Sequence, residues 1–309
     1  MAELKCIDLA GLKFHLRKLS EADFHQLNDL LQELPSWGVT DVDLKCHFKI
    51  HPNSFFGLFT SDNQLISNIA VFPVSPGEIF AGLFMTKEEF RGRGIGINLY
   101  QYVYDLFQAS NIRIVATAEV AQWYTNHGFI KSNVVVSWAN ISQFHPTKDC
   151  SNSDQFVVKE IIDMERIGLI AEYDRSICNV EEEHRLEYLS TWLLTVHCKC
   201  FAAFRDGVCV GYAGFRPLSQ ESFNVKPLYA DSEDIAVLLM RTFAENTPRC
   251  TKVTFITPHC NDLSKFENFA KKVGHVDITL SMYVMNSKRD KVVNLDNIYS
   301  LFNVEASLV

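Results

Sequence analysis

The chain has 309 residues, enough for two domains of ordinary size, each with its own hydrophobic core. With 47% hydrophobic and 21% charged residues, the composition is that of a globular protein and excludes a largely disordered one. The formal net charge of -8 argues against a nucleic-acid partner, which usually requires a basic face, and is compatible with a cationic or amine substrate.

The cysteines and the N-terminal residues indicate the cellular compartment. There are nine cysteines, an odd and scattered set, and the opening residues MAELKCIDLA contain no signal-peptide core. We therefore expect reduced, mostly buried cysteines and a cytoplasmic or nuclear protein, and of the two we expect the cytoplasm. No apolar run approaches the roughly 20 residues that a membrane-spanning helix needs.

A polar segment separates two hydrophobically patterned blocks. It contains Pro146, Asp149, Ser151 and Asn152, which is the composition of a linker. We predict a first domain at residues 1–143, a linker at 144–155 and a second domain at 156–309. Both halves of the chain are acidic, so neither is a basic arm.

The first block alternates strands and helices. In chain order its patterns predict a strand at 12–18, a helix that Ser20 caps and that ends near Leu34, strands at 54–59, 64–73 and 78–86, a helix from a glycine-rich stretch to about Ala109, a strand at 112–118, a helix at 121–127 and a strand at 134–141.

The second block repeats this coarse order. Its patterns predict helices at 167–177 and 185–195, a hairpin of strands 200–204 and 208–215 around Asp206-Gly207, a helix at 231–245 capped by Asp231 or Ser232, a strand at 252–256, a helix at 263–273 and a strand at 279–285. The sequence therefore predicts an α/β fold of two consecutive similar units, each a central mixed β-sheet flanked by helices.

A glycine-rich stretch, FRGRGIGINL at residues 90–99, lies between a predicted strand and a predicted helix. Backbone N–H groups without neighbouring side chains, at the start of a helix, form a cradle for anions. Arg91 and Arg93 add positive charge that suits phosphate. The residues predict a phosphate or pyrophosphate site.

Two common phosphate-binding motifs are excluded. A dinucleotide-binding fingerprint needs glycines at relative positions 1, 3 and 6, and the sixth position is Ile97 counted from Gly92 or Leu99 counted from Gly94. A Walker loop needs Gly-Lys followed by Ser or Thr, which is absent from this stretch.

The stretch does match Arg-x-x-Gly-x-Gly, at Arg91, Gly94 and Gly96, and so resembles the acyl-CoA-binding signature of the GNAT superfamily of N-acetyltransferases. Residues 17–24 (RKLSEADF) resemble the opening strand-to-helix turn of that family. Residues 121–129 (AQWYTNHGF) are similar to its Leu-Tyr-x-x-x-Gly-Phe segment. The resemblance covers about residues 10–141, in the family's order.

The second block has its own resemblance. Residues 211–217 (GYAGFRP) and 227–232 (PLYADS) look like the C-terminal half of tandem GNAT proteins, which carries a GNAT-like fold. No Arg- or Gln-x-x-Gly-x-Gly loop is found there. We therefore do not expect a second donor site in residues 156–286.

The resemblance implies an acetyl-CoA-dependent N-acetyltransferase that acts on the primary amine of a small molecule. Acetyl-CoA would be the acyl-donor substrate, with no metal, no nucleic acid and no membrane involved, and a homodimer is left open. The family's donor strand corresponds to Leu83, Phe84, Met85 and Thr86, with the individual N–H donor undecided, and its pyrophosphate loop corresponds to Arg91, Gly92, Arg93, Gly94, Ile95 and Gly96.

The catalytic residues are less well defined by the resemblance. Tyr124 corresponds to the family tyrosine that commonly protonates the CoA thiolate. The motif does not fix the general base, and Glu78 and Glu119 are both candidates, acting directly or through water. Thr117 stands where the family often has Asn, which puts some cofactor contacts in doubt.

Other functions remain open at this point. A catalytically inactive GNAT fold could hold CoA or serve as a scaffold, and a protein or peptide N-acetyltransferase would have the same signature. A zinc site at His197-Cys198-Lys199-Cys200 is disfavoured, because no paired Cys-x-x-Cys is present and His259 and Cys260 lie far along the chain.

Overall fold

The computed structural model describes residues 4–9, 12–33, 39–147, 155–178, 182–195, 197–260, 262–290 and 294–302. The protein is mixed α/β and folds into two units, residues 1–114 and residues 115–309. Most of the predicted linker, at 148–154, lies outside the described residues. The division into domains at 143 and 156 stays a prediction.

The first unit contains six strands and three α-helices among its described residues, the last strand continuing into the second unit. In chain order they are β1 (Lys5–Leu9), β2 (Leu12–Lys18), α1 (Phe24–Gln32), α2 (Asp41–Ile50), β3 (Phe55–Thr60), β4 (Leu65–Ser75), β5 (Glu78–Thr86), α3 (Ile95–Phe107) and β6 (Asn111–Ala116).

The strands of the first unit lie in the order β1-β2-β3-β4-β5-β6. All neighbours are antiparallel except β5 and β6, which are parallel. A parallel pair needs a crossover connection, and α3 provides it. This βαβ unit carries the glycine-rich stretch at the start of its helix.

The turn into α1 is fixed by polar contacts. The backbone N–H and the hydroxyl of Ser20 both donate to the Asp23 carboxylate at 2.8 Å, which forms a capping box. Arg17 donates to both oxygens of the same carboxylate, at 2.8 and 2.9 Å. Ser20 is therefore the N-cap of a short 3₁₀ turn at Glu21–Asp23, and the α-helix that follows has Asp23 at its own N-cap, whereas the sequence predicted that Ser20 caps the α-helix directly.

Phenylalanines form much of the first core. The ring of Phe55 packs edge-on against Phe24 from α1 and Phe72 from β4, at centroid distances of 6.4 and 5.7 Å. Phe48 of α2 closes the same cluster, 4.8 Å from Phe24. These rings fix the two helices against one face of the sheet.

The second unit contains eight strands and five helices among its described residues, besides the end of β6. In chain order they are α4 (Ala118–Asn126), β7 (Ile130–Ser142), β8 (Val157–Glu160), α5 (Met164–Cys178), α6 (Glu182–Leu193), β9 (Lys199–Arg205), β10 (Val208–Pro217), β11 (Ser222–Ala230), α7 (Glu233–Asn246), β12 (Lys252–Cys260), α8 (Ser264–Lys271), β13 (His275–Asn286) and β14 (Ile298–Ser300).

The strands of the second unit follow the order β13-β7-β12-β11-β10-β9-β8, and β14 pairs with β11 outside this path. β11 and β12 are parallel, and α7 makes the crossover between them. The hairpin of β9 and β10 turns through Asp206 and Gly207, whose φ angles are 52° and 83°. Two successive positive φ angles are what an Asp-Gly hairpin turn requires, as the sequence predicts.

Several described elements were absent from the sequence-based prediction: β1, α2, β8, β11 and β14. α2 carries charged or histidine side chains at five of its ten positions, so its apolar period is weak. β11 contains Pro227, which argues against an interior strand on sequence grounds. In the described part of the chain, no helix has the length and apolar character needed to cross a membrane.

Candidate active site

β5 and β6 pair over only three positions. Glu78 lies opposite Asn111, Ile79 opposite Ile112 and Phe80 opposite Arg113. Residues 78–116 are all described, and no further pair joins the two strands. β5 nevertheless continues to Thr86, so residues 81–86 form an edge that pairs with no described strand on that side. We call residues 81–86 the open edge of β5.

The open edge contains a β-bulge. The register passes from Ala70 opposite Gly82 to Asn68 opposite Met85, so Leu83 and Phe84 together face a single residue of β4. Leu83 has a φ of 49°, in the left-handed region that a branched side chain rarely occupies. Strained backbone of this kind persists only where its surroundings hold it, and it occurs often at functional sites.

The glycine-rich stretch makes the turn that its composition predicts. Gly92 and Gly94 have φ angles of 72° and 76°, which glycine adopts at little cost. Gly94 is the N-cap of α3 and has no side chain with which to cap it. The first N–H groups of this 13-residue helix therefore have no capping side chain, and such groups attract anions.

Gly96 serves a different purpose from the two turn glycines. A Cβ at this position would lie 2.6 Å from Oγ1 of Thr86 and 3.4 Å from the ring of Phe84. Glycine therefore lets the first turn of α3 approach β5 closely. The structure thus brings the glycine loop and the predicted donor strand, Leu83 to Thr86, into one place. The buried side chain of Ile95 anchors the same turn.

The two arginines of the loop have different surroundings. Arg91 folds back, donating from Nε to the Thr86 carbonyl at 2.7 Å and from Nη2 to Glu33 Oε2 at 2.9 Å. Arg93 is exposed and makes no ion pair with any described residue. Arg91 thus connects the loop to the residue that follows α1 while its side chain stays exposed, and the assignment of both arginines to phosphate stays a prediction.

Glu78 lies at the other end of β5. Its carboxylate is buried and accepts a hydrogen bond from Asn111 Nδ2 at 2.8 Å. At about 3.3 Å per strand residue, it lies roughly 17 Å along the strand from Leu83 and 26 Å from Thr86. The structure does not bring Glu78 together with the bulge or the loop.

Tyr124 and Glu119 lie on α4, in the second unit. The Tyr124 ring is buried and packs against Trp123 and Phe129, with centroids 5.0 and 5.2 Å away. Burial raises the pKa of the Tyr124 phenol, so it keeps its proton throughout the physiological range. Glu119 is exposed in the first turn of α4, next to Thr117 at the N-cap.

The second unit has a comparable parallel pair of strands, β11 and β12. Here a later strand of the same chain, β14, occupies the position beside β11 where its pairing with β12 ends. β11 and β12 pair from Ser222 opposite Lys252 to Val225 opposite Phe255. Beyond this point β14 takes the position beside β11, with Leu228 opposite Ser300. Sequence analysis missed β14, because three residues carry no period that distinguishes a strand from a loop.

Ser300 of β14 forms hydrogen bonds with both β11 and β12. Its buried hydroxyl donates to the Val225 carbonyl of β11 at 2.7 Å and accepts from the Ile256 N–H of β12 at 3.0 Å. Leu301 N–H donates to the Ile256 carbonyl at 2.8 Å. Polar groups that diverging strands would leave unpaired are therefore satisfied by the protein's own C-terminal segment.

Lys265 of α8 adds a further contact to this segment. Its Nζ donates to the carbonyl of Leu295 at 3.0 Å and to that of Asp296, and it lies 4.5 Å from the centroid of the Tyr299 ring. Burial lowers the pKa of this amine to about 8, partly offset by the nearby Asp296. The segment before β14 is thus held from the α8 side as well.

The part of the chain around β11 and β12 also lacks counterparts of the glycine loop and of Tyr124. α7 begins with the Ser232 cap and two acidic residues, Glu233 and Asp234, an arrangement that disfavours an anion. Four residues before Gly274, where Tyr124 stands before Gly128, the second block has the buried Ala270. No group of three or more potential metal-ligating side chains occurs in the described part of the molecule.

Comparisons with known families agree with this geometry. Residues 24–130 match the acetyltransferase (GNAT) family, and residues 170–299 match a second acetyltransferase (GNAT) domain family. The two matches fall on the two blocks that the sequence predicts. No curated protein matches the chain.

Solved structures share the fold over most of the chain. A putative acetyltransferase from Pyrococcus horikoshii is 15% identical, with a TM-score of 0.72 over 95% of this chain and 96% of its own. A tandem GNAT protein from the clavulanic acid biosynthesis pathway is 11% identical, with a TM-score of 0.63 over 90% of this chain and 100% of its own. A GCN5-related N-acetyltransferase from Sphaerobacter thermophilus is 10% identical, with a TM-score of 0.62 over 95% and 98% of the two chains.

Proposed function

We propose that this chain, which belongs to the GNAT superfamily of acetyltransferases and carries two GNAT domains, transfers an acetyl group from acetyl-CoA to a primary amine of a small molecule. The observation that carries the proposal is the close approach of the glycine loop to the open, bulged edge of β5. The first of these elements suits a pyrophosphate, and the second offers backbone groups to an extended ligand.

The donor-binding residues follow from this arrangement. The N–H groups of the loop from Gly92 to Gly96 would hold the pyrophosphate, with the exposed Arg93 adding charge. The backbone from Leu83 to Thr86 would pair with the extended arm of acetyl-CoA, because no strand among the described residues pairs with this edge. The two loop glycines with positive φ and the small Gly96 fit such a ligand, since any Cβ at Gly96 would push α3 away from β5.

The reaction needs a base, a polarised carbonyl and an acid. The acceptor amine loses a proton to a base, its nitrogen attacks the acetyl carbonyl carbon, and the carbon–sulfur bond breaks. We assign protonation of the leaving CoA thiolate to Tyr124, whose burial keeps the phenol protonated. Of the two candidate bases we favour Glu119, because Glu78 is buried against Asn111 at the far end of β5.

A single donor site per chain is part of the proposal. In the second unit, β14 takes the place beside β11 that an extended ligand would need, and the start of α7 is acidic. We place the protein in the cytoplasm, since all eight cysteines among the described residues are free and five of them are buried.

Calorimetric titration with acetyl-CoA tests the proposal. We expect saturable binding at one equivalent per chain, lost in Gly94→Glu, which adds a side chain and a negative charge at a φ of 76°. Gly77→Glu is the matched control, because Gly77 has the same φ of 76° with no atom within 4 Å of its would-be Cβ. Acceptor-dependent release of CoA in a screen of small amines then establishes the transfer.

Each alternative outcome has a defined meaning. Two equivalents would contradict the single site, and no binding would reject the acetyltransferase proposal. Binding of acetyl-CoA without CoA release in the presence of any amine would favour the catalytically inactive alternative. CoA release only with peptides would favour the peptide N-acetyltransferase.

A further inference from the structure

Asn68 of β4 is a fully buried polar residue beside the bulge of β5. Its side-chain amide donates from Nδ2 to the carbonyl oxygen of Leu83 at 2.9 Å. Leu83 is the residue with the positive φ at which the β4–β5 register is interrupted. The side chain of Asn68 therefore replaces a backbone partner at the irregular position of the ladder.

This hydrogen bond fixes the orientation of one peptide group. In a trans peptide the C=O and the N–H point in opposite directions, because the group is planar. The Leu83 carbonyl is drawn towards Asn68 on β4, so the N–H of Phe84 in the same peptide points away from β4. That direction is the open edge of β5, where no strand of the described chain pairs.

The amide of Asn68 is not fully used by the fold. Its Oδ1 atom is buried and has no hydrogen-bond partner among the described residues. An apolar side chain of similar volume would avoid this desolvation cost. The hydrogen bond from the Asn68 side chain to the Leu83 carbonyl, the one that this side chain makes with described residues, is therefore the structural reason for an amide at this position.

Ser67, the preceding residue, provides a contrast on the same strand. Its hydroxyl donates to the Met85 carbonyl at 2.8 Å and lies 2.8 Å from Oγ1 of Thr86. It is as deeply buried as Asn68 and also joins β4 to β5, but it binds outside the bulge. Both side chains therefore hydrogen-bond β4 to β5, but only the bond of Asn68 reaches the bulge. Substitutions at the two positions distinguish general stabilisation of the strand pair from an effect on the bulged peptide.

We propose that Asn68 is a positioning residue for acetyl transfer: it holds the Leu83–Phe84 peptide so that the Phe84 N–H faces the thioester carbonyl of the donor. The inference rests on the proposed function and identifies which N–H of the donor strand polarises that carbonyl. Polarisation of this kind is effective only when the donor group is fixed in advance.

The first test measures recognition of the carbonyl without any acceptor. Dissociation constants are determined by calorimetry for acetyl-CoA and for S-ethyl-CoA, in which a methylene replaces the carbonyl. We expect the native protein to prefer acetyl-CoA by about tenfold, the worth of one good hydrogen bond. Asn68→Leu, which keeps the number and branching of the side-chain heavy atoms and removes the donor, should reduce the preference to less than twofold with the S-ethyl-CoA affinity unchanged.

Ser67→Ala is the matched control, and it should retain the tenfold preference even if its melting temperature falls. A preference that persists in folded Asn68→Leu, or that disappears equally in Ser67→Ala, would overturn the role of Asn68. Binding of neither ligand to the native protein would instead be a failure of the proposed function. If Asn68→Leu does not fold, Asn68→Ala is measured in the same way.

The second test uses turnover with an amine acceptor. We expect kcat of the Asn68 variant to fall by about 10- to 100-fold, no more than the loss of an oxyanion donor itself would cause, while KM for acetyl-CoA rises by no more than about tenfold, the loss of affinity that the first test expects. Ser67→Ala should change neither by more than twofold. A rise in KM with kcat unchanged would show that Asn68 acts on ground-state binding alone and would overturn the proposal.

Discussion

The parallel strand pairs of the two units begin alike and end differently. In the first unit, β5 and β6 pair over three positions and β5 then continues with an open edge. In the second unit, β11 and β12 pair over four positions, and β14 then fills the position beside β11. The same framework thus leaves backbone groups without a described strand partner in one unit and satisfies them with a later strand of the chain in the other.

The difference shows what a donor site on this framework requires. Diverging strands leave N–H and C=O groups that must find a partner. Ser300 and Leu301 supply that partner in the second unit, whereas the first unit keeps the edge of β5 open next to a glycine loop. The acidic start of α7 and the alanine at position 270 are consistent with a second unit that has no donor to bind.

Gly96→Val should have the largest effect of the changes that test this comparison. Its Cβ would meet Oγ1 of Thr86 at 2.6 Å, so α3 must move away from β5. We expect at least about a 1,000-fold loss of acetyl-CoA affinity by calorimetry. Gly168→Ala in α5 is the control from the second unit, because no atom lies within 4 Å of its would-be Cβ, and it should leave binding unchanged. Equal losses in both variants would contradict the assignment of the donor to the first unit.

Tyr124→Phe should lower kcat by about 100-fold with little change in the dissociation constant of acetyl-CoA, because only the proton donor is lost. Assays of CoA release over time measure kcat, and calorimetry measures the dissociation constant of acetyl-CoA. Since burial raises the pKa of Tyr124, the native enzyme should show no loss of activity from this group between pH 6 and about pH 10. An unchanged kcat in the variant would show that another group is the acid.

Ser300→Ala tests how β14 is held in the position beside β11 in the second unit. The substitution leaves the buried carbonyl of Val225 and the N–H of Ile256 without their hydrogen bonds. We expect the free energy of unfolding to fall by about 2–4 kcal/mol, measured by urea denaturation, with acetyl-CoA still binding at one equivalent. Ser190→Ala, whose hydroxyl only bonds a carbonyl of its own helix, should cost less than about 0.5 kcal/mol. A second equivalent of acetyl-CoA in Ser300→Ala would show that β14 displaces a ligand from a site otherwise intact.

Asp23→Asn compares the ion pairs of the two units. Burial opposes ionisation of Asp23, but hydrogen bonds from Arg17 and Ser20 outweigh it and lower the pKa of the carboxyl from 3.8 to about 2. A lowered pKa stabilises the fold above about pH 4, and this stabilisation is lost as the pH falls towards 2. We expect the variant to lose about 2 kcal/mol at pH 7 and almost nothing at pH 2, by urea denaturation at each pH.

Two comparisons check that prediction. Glu21→Gln, at an exposed neighbour, should show no such dependence on pH. The second unit has a more deeply buried ion pair, Arg185 with Asp174, whose bond is 2.5 Å from Nε to Oδ2. A difference between native protein and Asp23→Asn that persists at pH 2 would contradict the role of the Asp23 charge.

The sequence by itself determined the local structure around the donor loop. The apolar run bounded by Glu78 and Thr86 predicted β5 with its observed bounds, and the helical period after Gly94 predicted α3. Glycine at positions 92 and 94 predicted a turn, since only glycine adopts positive φ cheaply, and Asp206-Gly207 predicted the hairpin for the same reason. These features depend on neighbours in the chain, so one sequence suffices to find them.

Only the tertiary structure decided what depends on residues distant in sequence. It showed that Gly96 is a packing glycine against Thr86, that Arg91 braces the loop through Glu33, and that Glu78 lies far along β5 from the bulge. It also placed β14 beside β11 and Asn68 at the Leu83 carbonyl. Hydrogen bonds between strands join residues that are far apart in the sequence, and local periodicity carries no information about such pairs. The open edge of β5, its bulge and the pairing of β14 with β11 could therefore not be predicted from the sequence.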